Sequence, residues 1–134
     1  MGLEENNQLS SSQCFGALKI APLRVVSESL RGSENRIELR YPNFRVRSPS
    51  TRFPDLGLIE VDYMADLDVV DPSSLDAYIA AYRQVTAFGE DVVNRIFDDL
   101  MAICSPRSLI VRGFFVSDEN IGLKVEASTE DNPR

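Results

Sequence analysis

Three residues of this chain combine a chemically useful side chain with a position where the chain turns or an element begins. Ser48 precedes Pro49, Asp55 follows Pro54 at the start of an apolar stretch, and Glu90 opens a helical pattern. A serine hydroxyl attacks as a nucleophile only when a base removes its proton. The two carboxylates can move protons or accept paired N–H bonds. Each residue also has an ordinary explanation: a hydrogen-bonding hydroxyl, a turn aspartate, and a glutamate that complements the positive end of a helix dipole.

The chain contains no histidine. Its absence excludes Ser-His-Asp and Cys-His nucleophilic arrangements within one chain, and it excludes histidine metal sites. Any general acid or base must then be a carboxylate, a tyrosine, a lysine or a terminus. A base for Ser48 would be Asp55, Asp71 or a tyrosine, and Tyr78 is the tyrosine candidate. The two cysteines belong to no metal-type cluster, so we expect no metal.

The charge of the chain limits its partners. The net charge of −7 is uneven, because residues 1–54 hold eight basic and five acidic residues whereas residues 55–134 hold six and sixteen. A nucleic-acid backbone needs clustered Lys and Arg, so the acidic main body argues against that partner. Arg45 and Arg47 alternate with apolar neighbours, which indicates a solvated strand face or a subunit contact rather than an anion site.

Length and hydropathy favour one soluble domain in the cytoplasm. A chain of 134 residues is long enough to bury a core of its own. No apolar run is long enough to span a bilayer, and the first residues lack the features of a signal peptide. Cys104 ends an apolar helical pattern and is expected to be a buried free thiol, which is typical of a reducing compartment.

Hydrophobic periodicity predicts six elements in the order strand, strand, helix, helix, strand, strand. The predicted ranges are 36–46, 57–64, a helix opening at 71–73, a helix from 90 to about 104, 109–116 and 121–125. Pro42 indicates an edge strand or a bulge, and Asp71 before Pro72 predicts a helix cap. Residues 117–120 are expected to form a hairpin turn. The pattern predicts an α+β fold in which one four-stranded antiparallel sheet carries both helices on one face.

We expect residues 1–34 to be a flexible N-terminal arm, residues 35–127 to be the folded domain, and residues 128–134 to be a disordered tail. The polar composition of both termini is the reason.

Residues 48–55, Ser-Pro-Ser-Thr-Arg-Phe-Pro-Asp, resemble the active-site segment of the nitrile reductases that act on 7-cyano-7-deazaguanine in the queuosine pathway. Further matches to that family follow in the same order at 37–44, 70–78, 88–91, 93–100 and 106–113. The resemblance implies the tunnelling fold (ββααββ), whose units join edge to edge into a multi-subunit barrel. It therefore implies a homo-oligomer with small-molecule pockets between subunits.

The resemblance also implies roles for single residues. Asp55 stands at the position of the family's proton donor, and Ser48 stands where the family has its cysteine nucleophile. Glu90 stands where tunnelling-fold families anchor the polar edge of a purine or pterin. Asp71 and Ser73 lie in the segment that matches the family's signature stretch, and they are further candidates for ligand binding.

Several positions depart from the family, and all of them bear on reduction. Ser73 and Asp76 replace two lysines, Gly89 replaces a catalytic histidine, and residues 118–120 replace an arginine-glycine-glycine turn. Asp76 and Asp118, which stand where the family has cations, would repel the phosphates of a nicotinamide cofactor. We therefore expect no cofactor and no NADPH-dependent reduction.

The prediction is a non-redox small-molecule enzyme, of cyclase, lyase or isomerase type, in a specialised biosynthetic pathway. Its catalytic candidates are Asp55, Ser48 and Tyr78. One alternative is a catalytically silent subunit that binds a purine-like ligand or an active partner. A third is a nitrile-type enzyme that uses Ser48 covalently.

Overall fold

The computed structural model describes residues 22–26, 35–50, 54–116 and 121–130. The expected turn at 117–120, the last four residues and most of the expected arm lie outside these ranges. The strands are β1 (Val25–Val26), β2 (Arg36–Arg47), β3 (Pro54–Met64), β4 (Val69–Val70), β5 (Ser108–Val116) and β6 (Gly122–Ser128). The helices are α1 (Pro72–Ala80) and α2 (Gly89–Cys104), and a 3₁₀ turn covers Ala81–Gln84.

The main sheet has the order β2-β3-β5-β6 and is antiparallel throughout. One face of the sheet is apolar and packs on α1 and α2, whereas the other face is charged. Alternation along β5 shows the division, because Leu109, Val111, Gly113 and Phe115 are buried and the residues between them are partly exposed. The predicted α+β fold, with one four-stranded sheet and two helices on one face, is confirmed.

A bulge interrupts β2 where Pro42 indicated one. The register with β3 shifts between Tyr41 and Phe44, and Asn43 adopts a left-handed φ of 62°. An extra residue in an edge strand increases its local twist. Beyond the bulge, the outer edge of β2 is covered by the chain's own segment 85–87, since Arg47 N donates to Val85 O at 3.0 Å and Ala87 N donates to Arg47 O at 3.0 Å. These bonds fix the start of α2 beside the end of β2.

The start of α1 is held by a cap and by part of the expected arm. Asp71 accepts a hydrogen bond from Ser73 N at 3.3 Å, and Pro72 occupies the first turn as predicted. Val25 and Val26 pair antiparallel with Val70 and Val69, and Arg24 pairs with Asp71 at 2.8 Å. Residues 22–26 are therefore docked on the domain, which corrects the expectation of an arm that is flexible along its whole length.

The second helix begins one residue earlier than predicted, at Gly89. Its buried stripe includes Val93, Ile96 and Leu100, as its periodicity indicated. The helix ends at Cys104, followed by Ser105 in the left-handed region with φ 45°. Cys104 is a buried free thiol, and burial raises its pKa to about 11. A thiol with so high a pKa is a poor nucleophile at neutral pH.

Candidate functional site

Three predicted site residues lie at one end of the main sheet. This end, called here the site end, is where β2 and β5 finish and β3 and β6 begin. Ser48 directly follows β2, and Asp55 is the second residue of β3, opposite Val46. Glu90 is brought to the same end because the segment before α2 is bonded to Arg47.

Ser48 is half-buried at the site end. Within the described part of the chain its hydroxyl contacts only Ser50: it accepts a hydrogen bond from Ser50 N at 3.2 Å, and it lies 3.2 Å from Ser50 Oγ. A neighbouring hydroxyl does not remove a proton as a carboxylate or an imidazole does. The described contacts are those of a hydrogen-bonding serine rather than of an activated nucleophile.

The two carboxylates differ in exposure. Asp55 is half-buried and lies on the helix-facing side of β3, the side that also carries Ile59 and Val61. Glu90 is exposed in the first turn of α2, where its charge complements the helix dipole. The site end therefore offers one shielded and one accessible carboxylate.

The sequence reasoning did not select Phe88 as a site residue, although it stands two residues before Glu90. It occupies the cap position of α2 but makes no side-chain cap bond, and 49% of its surface is exposed. Helix caps favour Ser, Thr, Asp or Asn, and large aromatic residues favour burial. A residue that breaks both tendencies is a functional candidate. An exposed ring beside a carboxylate offers a flat apolar surface and a paired acceptor for a planar ligand.

The position that matches the family's histidine is closed by Phe115. A Cβ atom added at Gly89 would lie 2.6 Å from Cε2 of the Phe115 ring. A Cβ atom added at Gly113 would lie 2.6 Å from Cζ of the same ring, and one added at Gly57 would lie 3.0 Å from its Cδ1. The ring is buried and packs against Phe44 with centroids 5.9 Å apart. We call the ring with its three glycines the Phe115 cradle; it leaves no room for a side chain at position 89.

Tyr78 does not lie open at the site end. Its phenol is buried, donates to Asp99 Oδ2 at 2.5 Å and lies 2.8 Å from the Tyr82 hydroxyl, while Arg95 donates to the same Asp99 oxygen at 2.9 Å. Burial, followed by the nearby Tyr82 and Asp99, raises the pKa of Tyr78 far above its usual value. This phenol links α1 to α2, and its catalytic role has no support from these contacts.

Asp71 and Ser73 lie at the opposite end of the sheet. Val70, directly before Asp71, donates its N–H to Tyr63 Oη at 3.1 Å, and Tyr63 pairs with Ile37 at the start of β2. Because a strand rises about 3.3 Å per residue, roughly 30 Å separates this level from the site end. Within one protomer, Asp71 cannot serve as the base for Ser48.

The described residues do not fit a phosphorylated nicotinamide cofactor in the way the relatives' signature stretch implies. Helix α1 contains no Lys or Arg, and Asp76 is exposed on it. A cofactor phosphate placed here would meet a carboxylate instead of the two lysines. Metal-type clusters of three His, Cys, Asp or Glu side chains do not occur in the described ranges. No helix in those ranges has the length and apolar character to cross a membrane.

This chain is similar in sequence to a known protein family and to individual reductases. A family model described as QueF-like protein matches residues 54–134. The NADPH-dependent 7-cyano-7-deazaguanine reductase of Chlorobium luteolum is 39% identical over 90 residues, which cover 67% of this chain and 78% of the relative. The reductase of the same name from Acaryochloris marina is 33% identical over 121 residues, covering 89% and 84%.

A solved structure shares the fold. The crystal structure of the archaeosine synthase QueF-Like in the apo form superposes with a TM-score of 0.69 at 16% identity, covering 75% of this chain and 99% of that one. With its strand–strand–helix–helix–strand–strand core and its match over residues 54–134, the chain belongs to the QueF-like family and has the tunnelling fold.

Proposed function

We propose that this chain is a non-redox enzyme that binds a small planar molecule at the site end and acts on it through proton transfer. The carrying observation is the Phe115 cradle, which fills the place of the family's histidine. The same end keeps Glu90, Asp55 and the exposed Phe88. The cysteine and the histidine that the family uses for reduction are therefore replaced, whereas groups that can bind a ligand and move protons remain.

The roles of the residues follow from their exposure. Glu90 is accessible and accepts the N–H edge of the ligand, and the Phe88 ring covers one face of the ligand. Asp55 is shielded and transfers a proton to or from the bound molecule. Ser48 contributes a hydrogen bond. Proton transfer without electron transfer suits cyclisation, elimination or isomerisation.

A catalytically silent binding subunit is the second candidate. The exposure of Phe88 beside Glu90 favours it, because this pair needs no neighbouring acid or base in order to bind. The two candidates differ in the role of Asp55. Turnover that is lost in Asp55→Asn while binding persists supports the enzyme.

The first experiment tests the loss of reduction. The purified chain is mixed with 7-cyano-7-deazaguanine and NADPH, and NADPH consumption is followed by absorbance. We expect a rate equal to that of the no-enzyme control, since Ser48 replaces the thiol and the Phe115 cradle replaces the imidazole. Consumption well above the control would refute the non-redox proposal.

The second experiment tests the binding role of Glu90 by calorimetric titration with 7-cyano-7-deazaguanine as the probe. Glu90→Gln keeps the shape but loses the paired acceptor, so the affinity should fall by about 1.5–3 kcal/mol, the value of a charged hydrogen bond. Asp91→Asn is the matched control, because it removes a charge from the same helical turn. Equal losses in both variants, or no binding by the unmodified chain, would contradict the assignment of a purine-like site to Glu90.

A further inference from the structure

An apolar cavity of about 160 Å³ lies between α1 and the part of β2 that precedes the bulge; we call it the α1 cavity. Its base is formed by Ile59 and Val61, which are buried on the helix-facing side of β3. Their cross-strand partners on β2, Tyr41 and Leu39, form one wall and are only half-buried. The cavity is therefore apolar at its base and reaches solvent at its wall.

The opposite wall of the α1 cavity comes from one face of the helix. Pro72, Leu75, Asp76 and Ile79 line it, and their spacing of i, i+3, i+4 and i+7 places them on the same side of α1. Leu75 and Ile79 are buried, whereas Pro72 and Asp76 are exposed. The carboxylate of Asp76 is therefore the charged group at the mouth of the cavity.

This carboxylate has no cation beside it. In the ranges that the structure describes, no Lys or Arg forms an ion pair with Asp76, and α1 itself contains no basic residue. Arg40 also lines the cavity, but its guanidinium pairs with Glu60 at 3.3 Å. An exposed carboxylate at the mouth of an apolar cavity favours a positively charged ligand, because complementary charge guides and selects a partner.

The size of the cavity limits what it can hold. Protein interiors are close-packed and contain few voids larger than a water molecule, so a space of this size is uncommon. An apolar cavity of about 150 Å³ holds a molecule as large as benzene. The α1 cavity therefore has room for one ring or a short alkyl group.

We propose that the α1 cavity binds a small hydrophobic cation, which is a molecule with one ring or a short alkyl group and a protonated amine or quaternary ammonium group. The apolar part lies against Ile59 and Ile79, and the ammonium group lies beside Asp76. Tyr41 adds an aromatic ring to the wall, and the faces of such rings attract cations. The carboxylate disfavours an anion of the same size.

The α1 cavity is separate from the site end. Neither Asp55 nor Glu90 lines it, and the bulge between Tyr41 and Phe44 lies between the two places on β2. Occupancy of this cavity therefore does not depend on the function proposed for the site end.

Methyl NMR tests the proposal with benzylamine, which is protonated at neutral pH. Benzyl alcohol and benzoate are its neutral and anionic counterparts. The full-length chain is labelled at its Ile and Leu methyl groups, whose signals stay sharp even in large assemblies. We expect benzylamine to shift the signals of Ile59, Leu75 and Ile79 in a saturable way. The signals of Ile96 and Leu100, which are buried elsewhere in the core, should not move. Benzyl alcohol should bind more weakly than benzylamine, and benzoate should bind most weakly.

Asp76→Asn tests the charge at the mouth. This variant keeps the shape of the side chain, so benzylamine should bind roughly two- to fivefold more weakly, as expected for the loss of an exposed ion pair. Its affinity for benzyl alcohol should stay unchanged. Asp98→Asn is the matched control, because it removes an exposed carboxylate from α2 and should alter neither affinity. Added salt should reduce the difference between Asp76→Asn and the unmodified chain.

Leu39→Phe tests the cavity itself. The larger side chain occupies apolar space from the β2 wall, and strands accept aromatic residues well. Binding of benzylamine and of benzyl alcohol should both be lost, while circular dichroism shows an unchanged fold. Asp76 is exposed, so the comparison with Asp76→Asn remains decisive even if Leu39→Phe does not fold.

Several results would overturn the proposal. No saturable shift at Ile59 and Ile79 in millimolar benzylamine would show that the cavity is closed to ligands, as it would be if a second copy filled it. Equal affinities for benzoate and benzylamine, or equal losses for benzylamine and benzyl alcohol in Asp76→Asn, would show that the carboxylate does not select the charge. Glu90→Gln should leave the shifts unchanged, and their loss in this variant would assign the probe to the site end instead.

Discussion

At the residue scale, Phe115 decides what the site end can hold. Its ring touches the positions of three glycines on β3, α2 and β5, so those elements approach one another more closely than residues with a Cβ would allow. The glycine at position 89 therefore does more than remove the imidazole that the family has there. It is the small residue that lets the start of α2, with Glu90, lie against the sheet.

We expect Gly89→Ala to destabilise the protein by roughly 1–3 kcal/mol, the usual cost of overpacking, and Gly89→His to cost at least as much. A Cβ atom at this position meets the buried Phe115 ring at 2.6 Å. Urea unfolding measures the change. Gly122→Ala is the control, since its Cβ would meet its nearest atom at 3.9 Å.

A double variant tests the cause. Phe115→Ala removes the clash, so Gly89→Ala should cost much less in that background than in the unmodified chain. Strict additivity of the two free-energy changes would contradict the claim that the Phe115 ring causes the cost at position 89, because residues in contact are expected to couple.

At the element scale, the start of α1 is held by a single carboxylate with two partners. Asp71 caps the helix through Ser73 N and pairs with Arg24, which brings the docked segment 22–26 onto the domain. Ser74 adds a bond from Arg24 N to its Oγ at 3.0 Å. These contacts give Asp71 a structural role, while its predicted role in ligand binding stays a prediction.

Asp71→Ala should lower the free energy of unfolding by about 1 kcal/mol, within the 0.5–2 kcal/mol range of lost N-caps. Asp76→Ala is the matched control, because this residue is exposed in the same helix and is not the cap. Chemical denaturation of both variants measures the difference. If the two variants lose the same stability, the cap and the Arg24 pair contribute nothing specific.

At the scale of the whole molecule, the charged face of the sheet makes stability depend on pH. Asp62 is buried there and forms a two-bond pair with the more exposed Arg36. The hydrogen bond from Arg36 lowers the pKa of Asp62 below its usual value of 3.8, against the opposing effect of burial. A carboxyl with a lowered folded-state pKa stabilises the protein fully above its unfolded pKa and loses that contribution as the pH falls through the folded value.

The stability gap between the unmodified chain and Asp62→Asn should therefore be largest at neutral pH and should shrink as the pH falls below about 4. Unfolding free energies measured from pH 7 to pH 2 test it. Glu38→Gln is the control, because Glu38 is an exposed neighbour of the same arginine at 3.7 Å and should show a smaller pH dependence. A gap for Asp62→Asn that stays constant with pH would show that the ion pair does not carry the effect.

Much of the fold was predictable because local patterns agreed with the tertiary structure. Alternation indicated β2 and β3, the Asp71-Pro72 pair indicated the start of α1, and Pro42 indicated the bulge. The observed strand bounds differ from the predicted ones by only a few residues. Strand β3 begins at Pro54 instead of 57, and β6 runs from Gly122 to Ser128 instead of 121–125. Strand ends depend on partners far along the chain, which a local pattern does not contain.

By itself the sequence determined the order of elements, the family, and the groups available for chemistry, because these depend on residue type and short spacing. Only the tertiary structure decided which of those groups meet. It brought Ser48, Asp55 and Glu90 to one end, moved Asp71 and Ser73 to the other, and buried Tyr78. It also filled the place beside Gly89 with a ring from residue 115. Contacts between residues far apart in the chain follow from strand pairing and helix packing, and no spacing within a single segment encodes them.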